Sequence, residues 1–95
     1  MFSIEWEFLP APGHAEDFIA AYGANGPWVR LFRRGQGYLG TDLQPVAARP
    51  GWYRTIDRWA SAEAYAAFRS AYADEYRAID VACERLTAEE RHIRG

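Results

Sequence analysis

The sequence predicts an α+β fold with the element order β-α-β-β-α-β, a four-stranded antiparallel sheet that carries its helices on one face. Two patterns predict it. FSIEWEFL at the start and WYRTIDRW in the middle alternate between apolar and polar residues, as half-buried strands do. Helical patterns, with apolar residues three or four positions apart, follow both segments. This order is that of the ferredoxin-like fold.

The two predicted helices also resemble each other. Residues 18–22 read FIAAY and residues 68–72 read FRSAY, so both have the spacing Phe-x3-Tyr after an aromatic strand. We expect the two halves to pack against the sheet in the same way, although alanine-rich helices can also be alike by chance.

The first strand is followed by proline and glycine, which end it. Residues His14 to Tyr22 are predicted to form the first helix, with Phe18, Ile19 and Tyr22 inward. Gly23 is expected to take the left-handed conformation that ends many helices.

Between the two halves, Trp28, Leu31 and Phe32 have spacings that suit a single helical turn. A second strand is predicted over roughly Tyr38 to Leu43. The third strand, Trp52 to Trp59, follows after a loop rich in proline and glycine.

Ser61 is a predicted N-cap for the long second helix, because its hydroxyl can accept a hydrogen bond from an amide of the first turn. The helix has an apolar stripe and a predicted kink near Asp74. The residues of the stripe are Tyr65, Phe68, Tyr72, Tyr76, Ile79, Cys83 and Leu86.

The last segment allows two interpretations. Thr87-x-x-Glu90 fits a helix capping box, whereas the residues around Glu90 to Ile93 suit a short strand. We favour a turn followed by the strand.

In this topology the first and third strands lie side by side at the centre of the sheet. The helix-covered face is predicted to carry Ile4, Trp6, Phe8, Tyr53, Thr55, Asp57 and Trp59. The open face is predicted to carry Glu5, Glu7, Trp52, Arg54, Ile56 and Arg58. Because Trp52 and Ile56 are apolar, we expect the open faces of two subunits to pack together in an isologous homodimer.

Composition excludes several classes of function. The chain has 95 residues and a net charge of −2, which fits one domain over residues 1–95 and no nucleic-acid or anionic membrane partner. All 11 basic residues are arginine, which excludes lysine Schiff-base chemistry. Cys83 is the only cysteine, so we expect a buried thiol and no internal disulfide. No targeting or membrane segment is visible, and a cytoplasmic protein is expected.

Several rings are predicted to meet between the sheet and the helices. They indicate a flat aromatic pocket for a polycyclic or quinone-like metabolite, unless they simply fill the core. These residues are Trp6, Trp59, Tyr65, Phe68 and Tyr72, with Trp28 and Phe32 beside the Arg33-Arg34 pair at the mouth.

Asp57 is the one carboxylate predicted on the helix-covered face. A carboxyl group in an apolar setting holds its proton longer, which suits a general acid or base. The alternative is a structural acid tied to Arg69, Tyr65 or a backbone amide. His14 and His92 are the only imidazoles, and Glu89-x-x-His92 lacks further ligands, so no metal site is expected.

The segments IEWEF with PAPGHAEDF, GYLGTDL, and IDRWASAEAYAAF together resemble antibiotic biosynthesis monooxygenase (ABM)-like domains of the dimeric α+β barrel superfamily. In that family a strand ending in an acidic residue, any residue and Trp is followed by Ser and then by a helix with an aromatic residue or Leu about six residues after the Trp. Asp57, Trp59, Ser61 and Tyr65 match this pattern. The resemblance covers nearly the whole chain.

The resemblance implies a possible activity. Cofactor-independent monooxygenases of the family have Asn-x3-Trp-x5-Tyr around their pocket, and here the same spacing is Thr55-x3-Trp59-x5-Tyr65. By resemblance, Thr55 and Tyr65 hold phenolate oxygens, Trp59 positions the ring and Asp57 transfers a proton. No cofactor is implied.

The resemblance does not extend to haem-degrading members. Those need an Asn on the first strand and a His on the second helix, where this chain has Trp6 and Phe68.

Three hypotheses follow. The first is a dimeric domain that binds a flat aromatic metabolite and oxidises it with O2. The second is a non-catalytic interaction or stress-response domain. The third is an isomerase or cyclase that uses Asp57 for proton transfer.

Overall fold

The computed structural model describes residues 1–95 and confirms the predicted α+β class. A single antiparallel sheet has the strand order β2-β3-β1-β4. The strands are β1 (Phe2–Pro10), β2 (Tyr38–Pro45), β3 (Tyr53–Trp59) and β4 (Thr87–Arg94). The helices are α1 (Ala15–Tyr22), α2 (Pro27–Phe32), α3 (Ala62–Ala71) and α4 (Ala73–Cys83), and a 3-10 turn at Glu84–Leu86 follows α4.

The register of β1 and β3 places the predicted residues on the predicted faces. Ile4 lies opposite Asp57 and Trp6 opposite Thr55, all on the side covered by helices. Neighbouring residues along each strand point the other way. The alternation read from the sequence therefore decides which side chains meet at the site.

Ser61 caps α3 as predicted. Its Oγ accepts a hydrogen bond from the backbone N–H of Ala64 at 3.0 Å. The predicted long helix is two helices, because the backbone leaves helical geometry at Tyr72 (φ −117°, ψ 30°). The break lies two residues before Asp74, where a kink was predicted.

Two predictions for α1 are wrong. Ile19 is 41% exposed, whereas Phe18 and Tyr22 are buried, so the buried stripe is narrower than predicted. Gly23 has an extended conformation (φ −84°, ψ −177°) and not the left-handed one. A Cβ atom at Gly23 would lie 2.7 Å from the carbonyl oxygen of Ile19, so close backbone approach explains the glycine.

The C-terminal segment is a strand, as favoured, and the capping-box helix does not form. β4 begins at Thr87, directly after the 3-10 turn. Its backbone pairs with β1 along most of its length. It is thus longer than the predicted Glu90 to Ile93.

The open face of the sheet is held by ion pairs around one carboxylate. Glu7 is 4% exposed and lies 2.5 Å from Arg54, 3.5 Å from Arg91 and 3.6 Å from Arg49. The Arg49 guanidinium also lies 3.9 Å over the ring of Trp52. Trp52 is buried in this way within one subunit, so its apolar character alone does not require a second subunit.

The core on the opposite face is largely aromatic, with Trp59 and Phe18 completely buried. No helix is both long enough and apolar enough to span a membrane.

Candidate active site

A cavity of about 90 Å³ lies between the helix-covered face of the sheet and the helices. Seven aromatic rings, three carboxylates and two threonines belong to its wall. The lining residues are Ile4, Trp6, Phe8, Tyr22, Trp28, Phe32, Thr41, Thr55, Asp57, Tyr65, Tyr76, Asp80 and Glu90. Sites for drug-sized ligands measure roughly 300–1,000 Å³, so this cavity suits a small ligand.

Six of the nine predicted site residues line this cavity. The alternation of β1 and β3 turns Trp6, Thr55 and Asp57 inward. Trp28 and Phe32 reach it from α2, a helix that begins at Pro27 with its φ preset for the first turn. Tyr65 reaches it from the first turns of α3.

Asp57 is the end of a hydrogen-bonded chain that runs across the sheet. Thr41 Oγ1 donates to Asp57 Oδ1 at 2.7 Å and lies 2.6 Å from the hydroxyl oxygen of Tyr38. Because the single Thr41 proton is used towards Asp57, the Tyr38 hydroxyl must donate to Thr41. The alternative predicted partners of Asp57, Arg69 and Tyr65, bond to each other instead.

The Asp57 carboxyl titrates near neutral pH. Burial raises its pKa from 3.8 to about 6, and the hydrogen bond from Thr41 opposes part of that rise. At pH 7, above this pKa, the ionised form of Asp57 is available to accept a proton.

Trp59 lies behind the cavity wall. It is completely buried among the rings of Phe32, Tyr38, Tyr65 and Phe68, with ring centroids 4.9–6.0 Å away. Its indole N–H has no hydrogen-bond partner. The structure thus places Trp59 where it supports the ring of Tyr65 and not among the lining residues.

Phe68 and Tyr72 face a different depression. This hollow, of about 470 Å³, lies between α3 and the segment that joins α2 to β2. The Arg34 guanidinium lies 4.8 Å from the Tyr72 ring, and the Tyr72 hydroxyl donates to the Arg34 carbonyl at 3.3 Å. The predicted single pocket is therefore two separate depressions.

The rim of the cavity carries an arginine that is already engaged. Arg69 Nη1 donates to the Tyr65 hydroxyl at 3.0 Å, and its guanidinium lies 3.9 Å over the Tyr76 ring. Burial raises the pKa of Tyr76 far above its usual value, so this phenol stays protonated.

The sequence interpretation missed five lining residues that bear polar groups: Tyr22, Thr41, Tyr76, Asp80 and Glu90. Tyr76 belonged to the predicted apolar stripe, and Asp80 follows it by one helical turn. Glu90 could have been found from the alternation of β4, since it lies opposite Phe8.

Neither histidine forms a metal site. No group of three or more His, Cys, Asp or Glu side chains is placed to hold a metal ion. His92 instead stacks on Trp6, with ring centroids 4.8 Å apart, and its Nε2 contacts the Arg94 carbonyl oxygen at 3.0 Å.

No protein-family model matches the sequence, and no curated protein matches it either. Solved structures do. A protein from Nitrosomonas europaea, named as a putative antibiotic biosynthesis monooxygenase, is similar with a TM-score of 0.72 at 15% identity, over 98% of this chain and 94% of that one. Rv0793 from Mycobacterium tuberculosis is similar with a TM-score of 0.69 at 18% identity, over 98% and 92%.

A third similar structure, named as a putative antibiotic biosynthesis monooxygenase from Chloroflexus aurantiacus, has a TM-score of 0.66 at 16% identity, over 99% of this chain and 91% of that one. These likenesses confirm the fold that the resemblance implied. The chain shares its α+β fold with these solved structures.

Proposed function

We propose that this chain is a single ABM-like domain that binds a small, flat aromatic or quinone-like metabolite and oxidises it with O2, without a bound cofactor. One observation carries the proposal. Asp57, a carboxyl group with a pKa of about 6, lies in the wall of a cavity that seven aromatic rings enclose. An aromatic enclosure binds a flat ring, and a nearby base can activate that ring.

Binding would use stacking and three hydrogen-bond donors. The Thr55 hydroxyl, the Tyr65 hydroxyl and the Trp28 indole N–H all belong to lining residues, and the Trp28 N–H has no partner in the protein. A buried donor without a partner costs free energy. An oxygen of a phenol or quinone would supply the missing acceptor.

The chemistry would begin with proton removal. Ionised Asp57 takes a proton from an activated C–H or phenolic O–H group, which leaves an electron-rich carbanion or phenolate. That species reduces O2 directly, so the substrate itself supplies the electrons. For a CH2 group that becomes a carbonyl, one oxygen atom of O2 enters the substrate and the other leaves as water.

The proposed assembly is a cytoplasmic homodimer that packs through the open faces of two sheets. Its support is the set of carboxylate and guanidinium groups across β1, β3 and β4, together with the partly buried Ile56. Light scattering of the purified chain would test the assembly, and a single mass of 10.8 kDa would contradict it.

Oxygen uptake tests the activity. We would follow O2 consumption with a panel of small electron-rich phenols and hydroquinones, and identify the products by mass spectrometry with labelled oxygen. Asp57→Asn keeps the size of the side chain and an acceptor for Thr41, so it should lower the rate constant by about 10²–10⁴-fold without unfolding the chain. Glu63→Gln on the exposed surface of α3 is the matched control and should keep full activity.

Other outcomes assign the site differently. Turnover that persists without O2 but still needs Asp57 would favour an isomerase or cyclase. Failure of the whole panel to bind would overturn the proposal and favour a non-catalytic domain.

A further inference from the structure

We infer that the ligand of the cavity carries a positive charge beside its flat ring, as a small arylalkyl amine or a cationic nitrogen heterocycle does. The inference rests on the proposed function, because it takes the cavity to be the binding site and specifies the class of ligand. The charges of the lining residues, their rings and one buried donor support it.

The charged residues that line the cavity are all acidic. Asp57, Asp80 and Glu90 line the cavity, and no arginine is among the lining residues. None of the three carboxylates lies within salt-bridge distance of a basic group. The carboxylates on the opposite face of the sheet differ in this respect, since Glu5 and Glu7 both pair with arginines.

Two basic side chains contact rings of the cavity wall. Arg69 bonds to Tyr65 and stacks on Tyr76, near enough to Asp80 for their charges to attract, and His92 stacks on Trp6 from β4. Neither ion-pairs with a carboxylate of the wall. Asp57 and Glu90 therefore have no basic partner within the protein.

The aromatic rings suit the same kind of ligand. A ring presents negative electrostatic potential at its face, so a cation among aromatic rings is attracted by about 0.5–2 kcal/mol for each well-placed contact. Carboxylates beside such rings add direct charge attraction. Together they discriminate against an anion of the same shape.

Trp28 contributes a hydrogen-bond donor to the same wall. Its side chain lines the cavity, the residue is 7% exposed, and its indole N–H is buried without a hydrogen-bond partner. Such donors are usually satisfied by a partner. The ligand is thus expected to offer an acceptor atom as well as the charge.

The pKa of one carboxyl group of the wall reflects the negative charge around it. Burial raises the pKa of Glu90, and the nearby Asp80 charge raises it further. A bound cation would lower the pKa of these carboxyl groups. It would also offset the negative charge that forms on the substrate when Asp57 removes a proton.

Three probes of one shape and different charge test the inference. N-methylpyridinium, toluene and benzoate all present a single flat ring with one substituent. Their dissociation constants for the full chain would be measured by NMR titration of the indole N–H signals. We expect N-methylpyridinium to bind at least tenfold more tightly than toluene, and benzoate to bind most weakly.

Variants connect the preference to the carboxylates. Asp57→Asn and Glu90→Gln should each weaken N-methylpyridinium binding at least threefold and leave toluene unchanged. Glu89→Gln, next to Glu90 but on the other face of β4, is the matched control and should change neither. A cation preference that survives in the double variant Asp57→Asn/Glu90→Gln would overturn the inference.

Different results would overturn the charge inference and the proposed binding site. If toluene or benzoate binds as well as the cation, the charge inference is overturned and the binding site stands. If no probe shifts the Trp28 signal at saturating concentration, both are overturned.

Discussion

Thr41 Oγ1 donates a 2.7 Å hydrogen bond to Asp57 Oδ1 across the β2–β3 ladder, and this bond opposes the rise in the pKa of Asp57 that burial causes. The two residues are direct partners in the antiparallel pairing, so backbone register and site chemistry are linked. Tyr38, at the start of β2, supports Thr41 from the other side. A slip of one residue in β2 would remove the donor.

The first prediction concerns Thr41→Val. Since a hydrogen bond to the ionised form lowers the pKa of a carboxyl group, its loss should raise the pKa of Asp57 above about 6, by roughly one pH unit. Carbon-13 NMR titration of the Asp57 carboxyl would measure the change. Thr41→Ser keeps the donor and should leave the pKa in place; an equal rise in both variants would assign the effect to packing.

The second prediction concerns stability and pH. The pKa of Asp57 is about 6 in the folded chain and 3.8 without burial, so between these values the folded state binds the extra proton and its stability falls as pH rises. Asp57→Asn should flatten this fall and stabilise the fold at pH 7 by about 1–3 kcal/mol. Urea unfolding at pH 4 and pH 7 would measure both effects. If Asp57→Asn changed the free energy of unfolding by the same amount at pH 4 and at pH 7, the pKa assigned to Asp57 in the folded chain would be contradicted.

The third prediction separates two tryptophans with unpartnered indole N–H groups. Trp28→Phe removes the donor from the cavity wall and should weaken aromatic ligands that carry an oxygen acceptor. The free energy of unfolding should change by less than about 1.5 kcal/mol, because the indole N–H that is removed makes no hydrogen bond in the folded chain. Trp59→Ala, behind the wall, should instead cost roughly 3–5 kcal/mol of stability. Calorimetric melting with ligand titrations would compare them, and a Trp28→Phe variant with unchanged binding would contradict the assigned role.

The fourth prediction concerns Glu7, which compensates three arginines on the open face. Glu7→Ala leaves Arg49, Arg54 and Arg91 facing each other and should lower the melting temperature clearly. Glu5→Ala should have a smaller effect, because its one pair, with the exposed Arg94, is 3.6 Å long. If Glu7→Ala lowered the melting temperature less than Glu5→Ala, the prediction would be contradicted, because the three arginines would then tolerate the loss of their shared carboxylate.

Much of this arrangement follows from local sequence pattern. The alternation in β1 and β3 predicts that Trp6, Thr55 and Asp57 share a face, because strand periodicity is a property of the backbone. The role of Ser61 as the N-cap of α3 was also predictable, because its hydroxyl accepts from an amide only three residues away in the chain.

The rest depends on contacts that pattern does not contain. The helix breaks at Tyr72, and Phe68 and Tyr72 face a hollow of their own although they share a predicted stripe with Tyr76. Thr41 and Glu90 enter the site through the register of β2 and β4. A register is fixed by pairing between distant segments and is not visible within either one.

The most direct test of the central claim uses the four tryptophans as reporters. Trp6 and Trp28 line the cavity, Trp59 lies behind it, and Trp52 lies on the opposite face of the sheet under Arg49. A nitrogen-15 NMR titration with a small arylalkyl amine that also bears a hydroxyl group should shift the indole signals of Trp6 and Trp28 and leave that of Trp52 in place. Shifts confined to Trp52, or no shift at all at saturating ligand, would contradict the proposed site.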